Sequence, residues 1–193
     1  MVAITSKLQP LFSIKVGFAF MFDNLVDLIN AYKRYDPAAK SRLEILLLYA
    51  GPKAIALHRL SHFLYGRDLF FLARLVAEFS RLITGIEIHP GAKIGRRLVI
   101  DHGIGVVIGE TAVVGDDCII FHGTTLGGVK FDPIKRHPTV GNRVLIGAGA
   151  KVLGPIHLGD DAKIGANVVI MEDVPAGGRV SVAPPLISVR KPI

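Results

Sequence analysis

A chain of 193 residues, half of them hydrophobic and a fifth charged, has the composition of a globular protein with room for one compact domain and an appendage. Its single cysteine, Cys118, excludes a disulfide framework and any clustered-cysteine metal site, which points to a reducing cytoplasm and to a small core-filling role for that side chain. The net charge of +7 comes from dispersed basic residues with no run of five and no interleaved aromatics, which disfavours a nucleic-acid groove and leaves a phosphorylated ligand open.

The apolar stretch Val16 to Phe22 follows Lys15 but falls short of the ~20 residues a membrane span needs. No small-residue cleavage site precedes Asp23 and Asp27. It reads as a buried start of a helical region, neither membrane anchor nor leader. Asp23 to Tyr35 places Leu25, Leu28, Ile29 and Tyr32 on one helical face. Asp36 before Pro37 has the form of an N-cap followed by a first-turn proline, which predicts a second helix from that point. Pro52 to Tyr65 and Asp68 to Thr84 predict two more amphipathic helices separated at Gly66, and Gly85 closes the set. His58 and His62 stand one turn apart, a spacing more often found in satisfied or exposed helix histidines than in metal ligands.

After Gly85 the period changes. Aliphatic residues recur every six positions at Ile88, Ile94 and Ile100, then Ile108, Val114, Ile120 and Leu126, then from Val140 through Ile146, Val152, Leu158 and Ile164 to Ile170. Glycine follows many of them directly, as at Gly95, Gly115, Gly147 and Gly165. Six residues suit a short strand and a tight turn, and three such sides make one coil of a parallel β-helix with inward aliphatic ladders. The pattern lapses twice. Eight residues separate Ile100 from Ile108, and fourteen separate Leu126 from Val140, read here as two repeats plus two. The extra residues predict a bulge and a projecting loop, where polar chemistry is usually carried. The first lapse holds Asp101 and His102, with Glu110 and Thr111 beyond it. The second holds Lys130, Lys135, Arg136 and His137. A histidine beside an acid is a candidate general base, and arginine is the usual carboxylate clamp.

The segments "IEIHPGAKIGRRLVIDHGIGVVIGETAVVGDD", "TTLGGVK", "KRHPTVGNRVLIGAGAKVLG" and "AKIGANVVI" resemble the serine O-acetyltransferases, hexapeptide-repeat acyltransferases that activate serine for cysteine synthesis. The resemblance runs from about Tyr35 to Ile170 and implies an α+β architecture. A helical domain over residues 1–84 is followed by a left-handed parallel β-helix over 85–193 with one projecting loop. It implies acetyl transfer from acetyl-CoA to the L-serine hydroxyl, without a metal. By position, His102 matches the catalytic base, and Glu87 stands where its acidic partner is usually an aspartate, one methylene shorter. Asp36 and Asp101 match residues that receive the serine amino group, Arg136 and His137 the pair that holds its carboxylate, and Glu110 lies in the same substrate region. The pantetheine arm of acetyl-CoA is expected near Gly127, Gly128, Ala148, Gly149 and Ala166, with Lys163, Arg190 and Lys191 toward the phosphates.

The same resemblance implies feedback inhibition by cysteine and an assembly of trimers, either a homotrimer or a dimer of trimers. The helical region is shorter than the family's usual one, which favours the trimer. Relatives dock in O-acetylserine sulfhydrylase through an extended acidic tail ending in isoleucine; here few residues separate Ile193 from the β-helix, so stable docking is not expected. No membrane or nucleic-acid partner is expected. The rival readings are an acetyltransferase for a sugar or other hydroxyl acceptor, a zinc hydratase using His89, His102 and His122, and a non-enzymatic platform. Asp36, Arg136 and His137 together favour an amino-acid zwitterion.

Overall fold

The computed structural model describes residues 25–183, so Val16 to Phe22, Arg190, Lys191 and Ile193 lie outside the described residues. Helix α1 covers 25–35 and buries Leu28, Ile29 and Tyr32, the face its periodicity predicts. The helix expected at Asp36 does not form. The Asp36 N–H donates to Tyr32 O and closes α1, and its Oδ1 accepts the Ala38 N–H at 2.8 Å, so the carboxylate shapes a turn. Helix α2, Arg42–Leu48, starts six residues later at a reciprocal cap: Ser41 Oγ accepts the Glu44 N–H at 3.1 Å, and Glu44 Oε2 accepts the Ser41 N–H at 3.3 Å. Helix α3, Ala50–Tyr65, and helix α4, Phe70–Thr84, fall close to their predicted ranges and pack on each other.

The chain then winds into a solenoid of about five turns. The first coil comprises β1 (Glu87–Ile88), β2 (Lys93–Ile94) and β3 (Val99–Asp101), and the second β4 (Val107–Ile108), β5 (Val113–Val114) and β6 (Ile119–Phe121). The third holds β7 (Thr125–Gly127), β8 (Thr139–Val140) and β9 (Leu145–Ile146), and the fourth β10 (Lys151–Leu153), β11 (His157–Leu158) and β12 (Lys163–Ile164). β13 (Val169–Ile170) and β14 (Arg179–Val180) close it. Every pairing is parallel. The first face is β1-β4-β7-β10-β13, the second β2-β5-β8-β11 and the third β3-β6-β9-β12-β14.

The registers measure each coil. Eighteen residues separate partners in a regular coil, as in Val107 with Thr125 and Lys151 with Val169. Glu87 pairs with Val107, twenty positions on, so the first lapse adds two residues, as its spacing indicated. Val113 pairs with Thr139, twenty-six on. The second lapse is therefore one side plus eight residues, and the reading of two repeats plus two is corrected: β8 lies on the face next to β7, and the whole surplus leaves the coil as the loop between them. A third irregularity escaped the six-residue count. Lys163 pairs with Arg179, sixteen on, because the side after β13 shrinks to the single bridge of Val174 with Leu158.

Ladders of Ile88, Ile108, Leu126, Val152 and Ile170, and their counterparts on the other faces, fill the prism. Burial of each such side chain stabilises by roughly 1.5–3 kcal/mol. Cys118 stands in one ladder between Leu98 and Val144, fully buried, its thiol donating to Gly141 O at 3.1 Å and pushed up to about 11 by burial, so it fills core as expected. Helix α1 holds the third face through Tyr32, and α3 and α4 pack against β1. No helix among the described residues is long and apolar enough to cross a membrane.

Candidate active site

The two added residues lie where the third face turns into the first. His102 at φ +59° and Gly103 at φ +80° take left-handed backbone there, and a Cβ on Gly103 would stand 2.5 Å from Ile86 Cδ1, so glycine is required. The strand feeding this corner is pinned from outside: Tyr32 Oη accepts the Ile100 N–H at 2.7 Å and donates to Ile100 O at 3.1 Å. The His102 ring projects with its side chain 75% exposed, Nε2 lying 3.9 Å from Asp101 Oδ1, and it meets His122 of the next coil edge-on. Asp101 Oδ2 accepts the Tyr35 hydroxyl at 3.4 Å, and Asp36 Oδ2 accepts the Tyr49 hydroxyl at 2.5 Å. That bond is the main reason Asp36 sits below its ordinary carboxylate range, with the Ala38 N–H and the nearby His102 ring adding to it. The same bond pushes the Tyr49 hydroxyl up to about 12. Asp36, Asp101 and His102 therefore form one cluster. Glu87 opens β1 with no hydrogen bond or ion pair to His102 among the described residues.

The second cluster stands at the corner between the first and second faces. Arg136 Nη2 donates to Glu110 Oε2 at 2.5 Å, and Tyr65 Oη donates to Glu110 Oε1 at 3.1 Å. Desolvation raises the Glu110 pKa, but these two donors outweigh it and hold the carboxyl below its usual range. Thr111 organises the rest. Its Oγ1 accepts the N–H groups of Arg136 and His137, each at 3.1 Å, which leaves its own hydrogen for His137 Nδ1 at 2.9 Å. The Thr111 N–H also donates to that nitrogen at 3.1 Å. With Nδ1 accepting twice, the neutral ring carries its proton on Nε2; burial first, then the adjacent Arg136, lowers its pKa and keeps it neutral. The ring lies against Gly109, where a Cβ would overlap it.

The clusters are thus on different corners of one chain. His102, Asp101 and Asp36 border the first face on one side; Glu110, Arg136 and His137 border it on the other. The residues expected along the pantetheine arm divide the same way. Ala148, Gly149 and Ala166 lie on the His102 corner, Gly127 and Gly128 on the Arg136 corner, while Lys163 opens β12 on the third face. The third corner carries a charge ladder, Arg97 on Asp117 and Arg143 on Asp161 in two-pronged pairs at 2.6–2.8 Å, which accounts for part of the dispersed basic content.

Four residues that sequence reasoning did not assign to the site support it. Tyr32, Tyr35, Tyr49 and Tyr65 are all the tyrosines of the chain, and each places its hydroxyl on a site carboxylate or on the strand that carries His102. Their confinement to the helical half was the available signal. His89, His102 and His122 do not converge, since His89 lies on the Arg136 corner against Tyr65. Among the described residues no group of three His, Cys, Asp or Glu side chains could hold a metal. His58 is buried and stacked on His62, which bonds Pro90 O at 2.7 Å.

The family pattern described as bacterial transferase hexapeptide (six repeats) matches residues 137–171. The chain is 61% identical to a serine acetyltransferase of Helicobacter pylori over 142 residues, 74% of this chain and 83% of that protein. It is 58% identical to the Mycobacterium tuberculosis serine acetyltransferase over 147 residues, 76% of this chain and 64% of that one. Among solved structures, serine acetyltransferase isoform 3 of Entamoeba histolytica in complex with cysteine superposes with a TM-score of 0.85 at 40% identity, over 91% of this chain and 63% of that one. The Neisseria gonorrhoeae serine acetyltransferase in complex with serine gives 0.81 at 38% identity, over 86% and 68%. With its solenoid, its two corner clusters and these likenesses together, the chain belongs to the serine acetyltransferase family.

Proposed function

We propose that this serine acetyltransferase divides its active site between two corners, and that each site is completed by a neighbouring chain. The observation that supports the reading is the separation just described: His102, Asp101 and Asp36 border the first face on one side, and Glu110, Arg136 and His137 on the other. A contact between unlike surfaces closes into a ring under a rotation, and a three-fold ring produces three equivalent sites. The cosubstrate is acetyl-CoA and the acceptor is L-serine, with Asp36 and Asp101 toward its ammonium and Arg136 and the His137 Nε2–H toward its carboxylate. That relatives were solved with serine and with cysteine supports an amino-acid pocket and a cysteine inhibitor competing for it.

In the reaction His102 accepts the serine hydroxyl proton as the oxygen attacks the thioester carbonyl. A backbone amide of the coil corner holds the oxyanion. The carbon–sulfur bond then breaks, and the imidazolium returns its proton to the CoA thiolate, giving O-acetylserine. Glu87 supports the imidazolium charge once substrate closes the exposed ring in. Small residues at Ala148, Gly149 and Ala166 let a thin pantetheine chain approach the backbone.

The test is acetyl-CoA consumption with serine, homoserine, threonine and simple sugars as acceptors, with products identified by mass. Serine is expected to dominate and to yield O-acetylserine. Preference for a sugar would overturn the assignment of Arg136 and His137 as a carboxylate clamp.

A further inference from the structure

The outward side of the third face changes character along the solenoid. Its first three positions, Val99, Ile119 and Leu145, are apolar, with Ala31 and Tyr35 of α1 beside the first two. Its last two are Lys163 and Arg179, both exposed. By the six-residue count Ser181 would stand opposite Lys163, but the shortened side after β13 brings Arg179 there instead. Two cations therefore face outward in direct register, one strand spacing of roughly 4.8 Å apart. Like charges set opposite each other across strands are destabilising, and elsewhere the chain avoids that cost. At the neighbouring corner each arginine has an aspartate one coil on, Arg97 with Asp117 and Arg143 with Asp161. Lys163 and Arg179 make no hydrogen bond or ion pair among the described residues. Asp161, close enough for Lys163 to lower its pKa, is already held by Arg143 in a two-pronged pair. Glu172 and Asp173 lie beyond β13, at the corner between the first and second faces. Residues 1–24 and 184–193 add one acidic side chain between them, Asp23.

An arginine and a lysine side by side without a carboxylate form a fork for a phosphate group, the guanidinium giving paired donors and the ammonium a point charge. Its place indicates which phosphate. Ala166 follows Lys163 by one turn of chain, on the corner that also holds His102, Ala148 and Gly149. Strands β12 and β14 stand three and four spacings from β3, which ends beside His102, so the fork lies roughly 14–19 Å along the solenoid from the base. An extended pantetheine arm covers that span. We propose that Arg179, acting with Lys163, is a further binding residue for the nucleotide phosphates of acetyl-CoA, and that it sets a preference for the complete nucleotide over shorter pantetheine thioesters. The proposal rests on the acetyl-CoA reading above and adds to it a residue that the coil register alone brings into place.

The test uses the full chain, with acetyl-CoA, its 3′-dephospho form and S-acetylpantetheine compared as donors and CoA affinity measured by calorimetry. Arg179→Gln is expected to weaken CoA binding and raise KM for acetyl-CoA about tenfold, the loss of a charge-assisted bond. Turnover at saturating acetyl-CoA and kcat/KM with S-acetylpantetheine are expected to stay at wild-type values, and Arg179→Lys is expected to recover part of the loss. A loss confined to acetyl-CoA assigns the fork to the 3′-phosphate, and an equal loss with the 3′-dephospho donor assigns it to the pyrophosphate; either supports the proposal. CoA affinity unaltered by Arg179→Gln overturns it. So does an equal loss with S-acetylpantetheine, or a fall in mass by light scattering, which would make Arg179 an assembly contact. A wild-type chain that binds no CoA contradicts the acetyl-CoA reading itself, an outcome distinct from failure of the fork alone.

Discussion

His102, Asp101, Arg136 and His137 were legible because each sits at a lapse in a six-residue rhythm, whereas Glu110 lies in a regular repeat and drew notice only by lying just beyond the first lapse; the structure places all five at corners of the coil. The groups that hold them were not legible. A tyrosine on an amphipathic helix face reads as core, and Tyr32 is indeed buried; only the fold shows that its hydroxyl grips the strand behind His102. Thr111 likewise looked like a bystander, yet it sets the His137 tautomer. Replacing His102 by alanine is expected to cost at least about a hundredfold in kcat, the lower range for a positioned general base; turnover like wild type would remove it from that role. Gly109→Ala puts a methyl group into the His137 ring. It is expected to raise KM for serine about tenfold or more, the loss of a hydrogen bond to a charged group, and to lower stability by about 1–3 kcal/mol as the buried ring is displaced. An unaltered KM would take His137 out of the serine site.

Among the elements, the helices were predicted from their apolar faces, and the one error came from a local conflict between two capping signals. Asp36-Pro37 has the form of a helix start, but its carboxylate is occupied by Tyr49 and by its own turn, and the Ser41 to Glu44 box begins the helix instead. Helix α3 carries a second consequence. His58 is 3% exposed where α3 packs on the first coil, beside Arg59 and His62 on its own helix and near His89, and neither ring nitrogen has a hydrogen-bond partner among the described residues. Burial first, then the adjacent His62 and Arg59, lowers its pKa from 6.5 to about 3. A ring held neutral in the folded state takes up fewer protons than the unfolded chain below pH 6.5, so stability is complete above that pH and falls as pH drops toward 3. Between pH 7 and 5 the wild type is expected to lose about 2 kcal/mol more than His58→Gln. Urea midpoints at the two pH values measure this, and parallel pH dependences would show that His58 is not held neutral by the fold.

At the scale of the whole molecule, the solenoid was readable from spacing because each coil repeats one demand, an aliphatic residue inward every six positions. Spacing could not say how a surplus divides between extra sides and a loop, since fourteen residues fit either two sides plus two or one side plus eight. Only the pairing of Val113 with Thr139 decides it, by setting β8 on the second face. That register also determines which corner carries Arg136, on the opposite border of the first face from His102. The most direct test mixes two inactive variants, His102→Ala and Arg136→Ala, unfolded together in equal amounts and refolded, with formation of mixed assemblies verified by mass. Sites built between neighbours in a ring are expected to regain about one quarter of wild-type activity, because an intact His102 from one chain meets an intact Arg136 from the next in that share of contacts. Mixed assemblies that remain as inactive as either parent would contradict the shared site.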